Sequence, residues 1–374
     1  MTSTVNLPAP TVFPLPPDLS TPVLVLDVER MERNIRAMAD SVAARGIDLR
    51  PHAKTHKSIA VARRQLAAGA VGVTVGTIGE AEVMAGGGID DVFIAFTVFA
   101  TPAKAARLRA LHEAIRLRVG VDSVAGARAL GAAMAGCRSP LPVLVEVDSG
   151  ERRTGVADPG DAGAVGVAAR EAGLEVVGVF THGGHGYADP DAAPGAAADE
   201  VAALDGAAGA LAAEGFEVSV RSAGSTPTAV LTPAGSVTEL RPGTYVYGDR
   251  QQVALGALPP DAVALVIAAT VVSVEQPGWV VLDAGAKMLA RDPRRDLPGL
   301  ASVPALGNGP VLRAFDYHGM VRLPAGVAVP SVGTVVAVVP NHACPVVNLV
   351  DELTLVADGR VVGVAPVDAR GRNG

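Results

Sequence analysis

The hydrophobic positions of this chain fall into short apolar runs that alternate with longer alanine-rich stretches. Each run is rich in Val, Ile, Leu or Phe and is bounded by Gly, Pro or polar residues, which is typical of buried strands. We predict strands at 47–50, 71–75, 92–96, 117–121, 143–147, 176–180, 218–221 and 244–247. Eight strands with helical stretches between them favour a (β/α)8 barrel over an open doubly wound sheet. No Gly-x-Gly-x-x-Gly follows the first strand, which argues against a dinucleotide-binding fold.

The pattern changes after about residue 255. Apolar segments at 263–274, 279–282, 333–339 and 353–356 are β-rich, and long helical patterns are absent. We therefore predict a barrel over residues 28–255 and a second, mostly β domain over 256–374.

The first 27 residues precede the predicted barrel. Residues 1–20 are proline-rich and are predicted to form an extended arm, and 21–27 read as a strand that packs with the β domain. Asp27 is a candidate helix cap, because the following residues place Met31, Ile35 and Met38 on one helical face.

Composition limits the possible partners and compartments. The net charge is −7 and only 3% of the residues are aromatic, so a nucleic-acid partner is not expected. The only cysteines are Cys137 and Cys344, too few for a disulfide framework and compatible with a reducing cytoplasm. The sequence shows neither a signal-peptide pattern nor an apolar run long enough to span a membrane.

The lysines are the first chemical signal. The chain has four of them, Lys54, Lys57, Lys104 and Lys287, and its other basic residues are mostly Arg. A lysine amine can lose its proton and form a Schiff base, whereas a guanidinium cannot. Two of the four lie in the run Arg-Pro-His-Ala-Lys-Thr-His-Lys at 50–57, which otherwise reads as a solvated basic turn.

Polar residues cluster where the predicted barrel strands end. In such barrels the C-terminal ends of the strands form the catalytic face. Five of the eight predicted strands run into reactive residues, at 51–57, 146–153, 181–187, 222–226 and 245–249. Their joint occurrence at one face predicts an active site there.

The turn after the seventh strand suggests a phosphate. Ala223-Gly224-Ser225-Thr226 offers backbone N–H groups and two hydroxyls that could hold an anion, although taken alone it reads more simply as a tight turn with a Ser/Thr cap. A phosphate site together with a reactive lysine suggests pyridoxal 5′-phosphate (PLP), which carries an aldehyde and a phosphate.

Three motifs carry a family resemblance. The run at 50–57, the segment Gly-Ser-Thr-Pro-Thr at 224–228 and Pro-Asn-His-Ala-Cys at 340–344 together resemble the D-threonine aldolase / D-serine dehydratase family. These are fold type III PLP enzymes, with an alanine-racemase-like barrel followed by a β domain. The resemblance implies D-amino acid substrates, a homodimer, and Lys54 as the cofactor lysine. Lys57 is then a structural or surface charge, and Lys287 is the main rival to Lys54.

The same resemblance implies further cofactor-binding residues. Arg153 aligns with an arginine near the ring hydroxyl, although it could instead form a plain ion pair with Glu146 or Asp148. His182 and Tyr187 take the family's position facing the ring, whereas His182 alone reads as a satisfied buried histidine. The phosphate is expected to lie at the loop of Gly224, Ser225 and Thr226. The resemblance also places Tyr245 and Asp249 near it.

A metal is expected beside the cofactor. His342 and Cys344 form a His-x-Cys pair, which is weak evidence alone because zinc usually takes three or four ligands. The resemblance implies that this pair binds a divalent metal next to PLP. Thiolate and imidazole favour zinc, with manganese possible. A Cys at this position resembles D-serine dehydratases more than manganese-dependent aldolases.

The implied activity is a PLP- and metal-dependent lyase acting on D-3-hydroxy-amino acids. It would release a 2-oxo acid and ammonia by dehydration, slightly favoured by the His-x-Cys pair, or glycine and an aldehyde by retro-aldol cleavage. An amino-acid racemase on the same scaffold and a PLP-binding protein without turnover are the alternatives. His318 lies in a polar loop of the predicted β domain and is either a site residue or an ordinary loop histidine.

Overall fold

The computed structural model describes residues 8–294 and 297–374, so the first seven residues of the predicted arm lie outside the described residues. The chain divides into two compact units. One contains the chain up to Arg36, Thr55–Ser58 and Thr244–Gly371, and the other contains Ala37–Lys54, Ile59–Gly243 and Arg372–Gly374. Within the described ranges, no helix has both the length and the apolar character needed to cross a bilayer.

The described strands are β1 (Val23–Asp27), β2 (Asp48–Leu49), β3 (Val73–Val75), β4 (Asp91–Thr97), β5 (Arg116–Val121), β6 (Pro142–Glu146), β7 (Glu175–Phe180), β8 (Val220–Ala223), β9 (Glu239–Leu240), β10 (Leu265–Ser273), β11 (Trp279–Leu282), β12 (Ala301–Val303), β13 (Gly309–Ala314), β14 (Gly319–Arg322), β15 (Val335–Pro340), β16 (Glu352–Ala357) and β17 (Arg360–Pro366). The described α-helices are α1 (Val28–Ala43), α2 (Ile59–Ala67), α3 (Ile78–Gly86), α4 (Pro102–Ala114), α5 (Val124–Met134), α6 (Ala162–Glu171), α7 (Ala192–Ala213), α8 (Thr226–Ala229), α9 (Arg250–Ala254), α10 (Ala286–Leu289) and α11 (Ala343–Val347).

Strands β2 to β9 form a parallel sheet in the order β2-β9-β8-β7-β6-β5-β4-β3. A parallel bridge between His52 and Thr74 joins the two edges of this sheet. It is supported by hydrogen bonds from Ala53 N to Thr74 O (2.7 Å) and from Thr74 N to Pro51 O (2.8 Å). The strands therefore form a closed ring with helices between successive strands, and the predicted (β/α)8 barrel is confirmed.

The first seven predicted barrel strands overlap observed ones, and the eighth prediction is wrong. The apolar run at 244–247 begins with a 3₁₀ turn at Thr244–Val246, and the eighth strand is the two-residue β9. Glu239 in β9 points to a buried partner, since its carboxylate accepts a hydrogen bond from Arg50 Nε at 2.6 Å. A strand this short, with a charged residue serving an internal ion pair, gives no apolar signal in the sequence.

The barrel interior combines an aromatic layer with a buried ion-pair network. Phe93 and Phe180 meet edge to face with ring centroids 5.2 Å apart. Arg50, only 1% exposed, pairs with Glu239 and Asp91. Burial would raise the pKa of Glu239, but the Arg50 charge and hydrogen bond hold it below its usual value. Removing either partner would leave an uncompensated charge inside the barrel, so the pair helps to fix β2 beside β9.

The other unit is built on a nine-stranded sheet in the order β11-β14-β13-β12-β15-β10-β1-β16-β17. Strand β1 lies inside this sheet, antiparallel to β10 and parallel to β16. Asp27 caps helix α1 by accepting a hydrogen bond from Arg30 N at 2.9 Å, as predicted. Met31, Ile35 and Met38 are all buried, which confirms the predicted apolar face.

Four strands of this unit overlap the predicted segments, namely β10, β11, β15 and β16. Strands β12, β13, β14 and β17 were not predicted. Three of them are short or contain glycine and proline, and β17 is an edge strand whose Val361, Val362 and Val364 are exposed. Such strands lack the buried apolar run on which the prediction depended.

Candidate active site

Lys54 follows directly on the point where the barrel closes. Hydrogen bonds from Arg50 N to Leu240 O (2.9 Å) and from His52 N to Pro242 O (3.0 Å) extend the β2–β9 pairing beyond the strand itself. The backbone of Ala53 is tied to β3, and the next side chain, Lys54, is exposed. The amine therefore extends from a rigid anchor at the C-terminal edge of the sheet.

Lys57, the second lysine of the run, has a different setting. It is 6% exposed and its backbone is in the left-handed region, with φ of 51°. Its carbonyl accepts a hydrogen bond from Ala369 N at 2.9 Å. The expectation of a surface charge is wrong for Lys57, and a structural role fits its burial.

His182 follows β7 and is surrounded by cations. Removal from water lowers its pKa well below the ordinary value of 6.5, and the charges of Lys54, Arg153 and Arg241 lower it further. At neutral pH the imidazole is therefore uncharged and able to accept a proton. The ring of Tyr187 lies 6.5 Å from it between centroids, tilted by 42°. The structure thus brings the predicted residues Lys54, Arg153, His182 and Tyr187 together.

A small pocket of about 10 Å³ opens beside His182. It is lined by the ends of β6 and β7 and the loops that follow them, through Glu146, Val147, Asp148, Glu151, Arg153, Thr154 and His182. Burial raises the pKa of Glu146 above its usual value, partly offset by hydrogen bonds from Thr154 and Thr97, both 2.9 Å long. Arg153 contributes an exposed guanidinium to the lining of this pocket. The uncharged imidazole of His182 also lines it.

The turn at 224–226 is a helix cap as well as a candidate phosphate loop. Gly224 has φ of 90°, and a Cβ there would lie 2.7 Å from Leu240 Cδ2, so only glycine fits. Gly224 N donates to Glu200 Oε1 (3.0 Å) and Ser225 N to Thr228 Oγ1 (2.8 Å). These two N–H groups are therefore bonded within the protein, as in the alternative of a capped turn. The hydroxyls of Ser225 and Thr226 stay as candidate anion ligands.

Arg241 is a site residue that the sequence analysis missed. It is 5% exposed, donates to Thr181 O at 2.6 Å and to Ser222 Oγ, and lies 5.4 Å from the Phe180 ring centroid. Burial lowers its pKa, although Arg remains charged at neutral pH. Placing the eighth strand at 239–240 would have put Arg241 at a strand end and revealed it.

Glu200 was also missed. It lies on α7, is fully buried, and accepts hydrogen bonds from Gly183 N (2.7 Å) and Gly224 N (3.0 Å). Burial raises its pKa, and these bonds partly offset the increase. The available signal was a single glutamate on the inward face of an alanine-rich helix, with buried alanines one turn away on either side.

The two predicted metal ligands lie at the start of α11, in the other unit. His342 forms hydrogen bonds with Cys344 and with Asp292 Oδ2, the latter at 2.6 Å from Nδ1. Cys344 Sγ lies 3.2 Å from the hydroxyl of Thr55, the residue that follows Lys54 in the chain. Partial burial acts to lower the pKa of His342, but Cys344, Asp292 and Asp249 outweigh it and raise the pKa to about 9.

His342 and Cys344 could hold a metal only in a site where other ligands complete the coordination. Across residues 8–294 and 297–374, no group of three or more His, Cys, Asp or Glu side chains is arranged to hold a metal. Two protein donors leave the other coordination positions to water or substrate, as catalytic rather than structural metal sites do.

Tyr245 and Asp249 occupy the polypeptide just after the barrel. Tyr245 is 1% exposed. Asp249 is fully buried and caps α9, accepting from Gln252 N at 2.9 Å. Its other oxygen accepts from Ala343 N at 3.0 Å, so Asp249 holds the residue between the two candidate metal ligands. Burial raises the pKa of Asp249.

Lys287 and His318 lie in the β-rich unit. Lys287 is exposed, and its amine donates to Tyr317 Oη at 2.9 Å and pairs with Asp316 at 3.8 Å. The hydrogen bond to Tyr317 raises its pKa. The backbone before Lys287 lies close to the loop at 315–318. Only glycine fits at position 285, since a Cβ there would lie 2.5 Å from His318 N.

The donor set of the barrel fits PLP. An accessible lysine amine suits an aldehyde, and the hydroxyls of the glycine-requiring turn at 224–226 suit a phosphate. The cations around His182 suit a cofactor that carries negative charge.

Comparisons with known proteins cover nearly the whole chain. Residues 26–251 match the family described as alanine racemase, N-terminal domain, and residues 264–356 match the putative serine dehydratase domain. The chain is 36% identical over 349 residues to D-threo-3-hydroxyaspartate dehydratase of Delftia sp., which covers 87% of this chain and 91% of that protein.

Solved structures are similar over the same extent. The crystal structure of D-threonine aldolase from Filomicrobium marinum aligns with a TM-score of 0.87 at 33% identity, covering 97% of this chain and 99% of the other. A mutant of D-threo-3-hydroxyaspartate dehydratase in the metal-free form aligns with a TM-score of 0.86 at 33% identity, covering 93% of this chain and 97% of the other.

Proposed function

The chain belongs to the alanine racemase N-terminal domain family, and from this membership we propose that it is a PLP-dependent lyase acting on D-3-hydroxy-amino acids. The observation that carries the proposal is the convergence of Lys54, Arg153 and Arg241 on the uncharged His182. The names of the relatives, a dehydratase and an aldolase of hydroxy-amino acids, support the reaction class.

The residues of the barrel take distinct roles in this proposal. Lys54 Nζ would hold the cofactor covalently and would remove the proton from the substrate Cα in dehydration. Ser225 and Thr226 would bind the phosphate through their hydroxyls. Arg153 would orient the ring and the substrate carboxylate. PLP, when bound, supplies an electron sink for charge that develops at Cα.

His182 would act as a base rather than an acid. Its lowered pKa keeps the ring uncharged at neutral pH, so one ring nitrogen can accept a proton from a substrate hydroxyl. Proton removal from that hydroxyl would favour retro-aldol cleavage, whereas proton removal from Cα by Lys54 would favour dehydration. The balance between these two residues would therefore decide the products.

His342 and Cys344 would bind a divalent metal, and their imidazole and thiolate favour zinc over manganese. A bound metal would supply Lewis acidity toward the substrate hydroxyl. Two observations support the proposal, namely the hydrogen bond between the two side chains and the 3.2 Å contact of Cys344 with Thr55. The metal-free form described for a relative supports it as well. The Cys in this pair slightly favours dehydration.

We further propose a cytoplasmic homodimer. Both cysteines are free, which fits a reducing compartment. In the β-rich unit, Phe315 is 56% and Tyr317 63% exposed, and large exposed apolar side chains support a contact surface for a second copy of the chain.

The decisive experiment is product analysis with D-serine and D-threonine, with zinc or manganese added and after chelation. Pyruvate or 2-oxobutyrate with ammonia would identify a dehydratase. Glycine with acetaldehyde from D-threonine would identify an aldolase. L-enantiomers that form regardless of chelation would overturn the lyase proposal in favour of a racemase, and bound PLP without turnover of any D-amino acid would overturn it in favour of a binding protein.

A further inference from the structure

One buried carboxylate connects the two loops on which the cofactor proposal depends. Glu200 Oε1 accepts the N–H of Gly183, next to His182, at 2.7 Å. The same oxygen accepts the N–H of Gly224, the first residue of the candidate phosphate loop, at 3.0 Å. The two loops follow different strands, β7 and β8, so this oxygen sets their separation.

Within the phosphate loop, Ser225 is held by Thr228. Thr228 Oγ1 accepts the N–H of Ser225 at 2.8 Å and lies 3.0 Å from Ser225 Oγ. Thr228 therefore fixes Ser225 within the loop, and the bond from Gly224 N to Glu200 ties the loop to α7.

The contact leaves no room for adjustment. A Cβ at Gly183 would lie 2.8 Å from Glu200 Cδ, closer than any real Cβ contact, although φ at Gly183 is an ordinary −77°. Glu200 is fully buried, so water cannot replace it as an acceptor without opening the structure. Removing the carboxyl would leave two loop N–H groups without their acceptor.

We propose that Glu200 is a positioning residue, which holds the His182 loop and the Gly224–Thr226 loop at the separation that PLP requires. This inference rests on the proposed function, because it assumes that PLP binds between these loops. The two loop partners of Glu200 are neutral N–H groups. The proposed role therefore needs an acceptor oxygen on a side chain of this shape, and does not need its negative charge.

The test is PLP affinity, measured by titrating the cofactor-free protein and following the absorbance of bound PLP. Glu200→Ala should raise the dissociation constant at least 10-fold, because both loops lose their shared acceptor. Glu200→Gln keeps an acceptor oxygen and the shape, and should stay within about 3-fold of wild type. Gly183→Ala should weaken binding as Glu200→Ala does, since it displaces the same contact from the other side.

Glu80→Ala is the matched control. Glu80 is also a buried barrel glutamate that accepts one loop N–H, from Gly76 at 2.8 Å, but its loop carries none of the proposed site residues. This variant should lose thermal stability without changing PLP affinity. A general loss of stability would thus be separated from a loss of loop positioning.

PLP affinity within 3-fold of wild type in both Glu200→Ala and Gly183→Ala would overturn the inference. If Glu200→Ala does not fold, Gly183→Ala and Glu200→Gln decide the matter, and weak binding by Gly183→Ala with near-normal binding by Glu200→Gln supports it. Wild-type binding of PLP shows that the cofactor premise of the proposed function stands even when the inference fails. Wild-type protein that binds no PLP would overturn both.

Discussion

His182 in the barrel and His342 in the β-rich unit are both half-buried, yet their pKa values shift in opposite directions. His182 faces Lys54, Arg153 and Arg241, and its pKa falls well below 6.5. His342 contacts Cys344, Asp292 and the Arg294 guanidinium, and the anionic neighbours prevail, so its pKa rises to about 9. Loss of hydration acts in the same direction on both rings, so the sign of the difference comes from the charges of their neighbours.

The difference separates two kinds of site. A neutral imidazole among cations can act only as a weak base, and its surroundings suit an anionic cofactor. An imidazole beside a thiol and carboxylates is suited to a cation, whether a proton or a metal, although Arg294 also contacts this ring. In the proposed function, one side-chain type would therefore serve both an anion-binding and a cation-binding centre.

The largest effect should come from the barrel centre. Lys54→Ala should abolish the absorbance of covalently bound cofactor and lower turnover by at least about 10³-fold, because the chain loses both its anchor and a proton-transferring amine. Borohydride reduction followed by peptide mapping of the wild type should place the pyridoxyl group on Lys54.

Lys287→Ala is the control for that change. Lys287 is exposed and paired with Tyr317, so this variant should keep the cofactor absorbance. A pyridoxyl group mapped to Lys287 or Lys57 would remove Lys54 from the anchor role, and with it the explanation for the cations around His182.

The cation-binding centre should respond to Cys344→Ala. This change should weaken metal binding by about 100-fold or more, since loss of outer-shell partners alone costs 10–100-fold. Metal content after dialysis against a graded chelator measures it. Cys137→Ser, at the chain's other free cysteine, is the matched control and should bind metal as the wild type does. Equal metal retention in both variants would contradict the His342–Cys344 assignment.

The smallest effect should be on stability against pH, and it isolates His182. The folded pKa of His182 lies below its unfolded value, so below about pH 6.5 the unfolded chain binds a proton that the folded chain does not. The contribution of His182 is present above that pH and is lost as pH falls, by at most about 1.4 kcal/mol per pH unit. His182→Gln should remove this slope in urea unfolding between pH 7 and 5.5.

His112→Gln provides the comparison for the pH experiment. His112 lies on α4, outside the ring of strands, and hydrogen-bonds to Ser139 O at 2.9 Å. The change of slope should be larger in His182→Gln than in His112→Gln, because the hydrogen bond of His112 is exposed, whereas His182 is surrounded by cations. A slope that is unchanged in His182→Gln would mean that His182 is not held neutral by the cations around it.

The fold was predictable where burial leaves an apolar signal. Strands β3 to β7 carry it, because their side chains fill the barrel wall and interior. Strand β9 does not, because Glu239 serves an ion pair with Arg50 that sequence spacing cannot reveal. The missed strands of the β-rich unit are short or exposed, so they also lacked the pattern.

Candidate site residues stood out where their chemistry is rare in the sequence. Lys54 and the His342–Cys344 pair were noticeable because the chain has so few lysines and cysteines. Glu200 and Arg241 were not, because glutamate and arginine are common in this chain and only the fold shows which of them are buried against the loops. The N–H groups of Gly224 and Ser225 were assigned to a ligand because their protein acceptors lie in other elements or farther along the helix.

The pairing of β2 with β9 also has a consequence for biosynthesis. The segment before Lys54 takes its hydrogen bonds from residues 238–242, almost a full barrel later in the chain. Pairing between such distant segments cannot form until both have been translated, and it is slow compared with local folding. Lys54 therefore cannot reach its final position on the ribosome before the barrel is complete. With Lys54 in its proposed role, cofactor capture would follow completion of the barrel and would be a late and specific marker of correct folding.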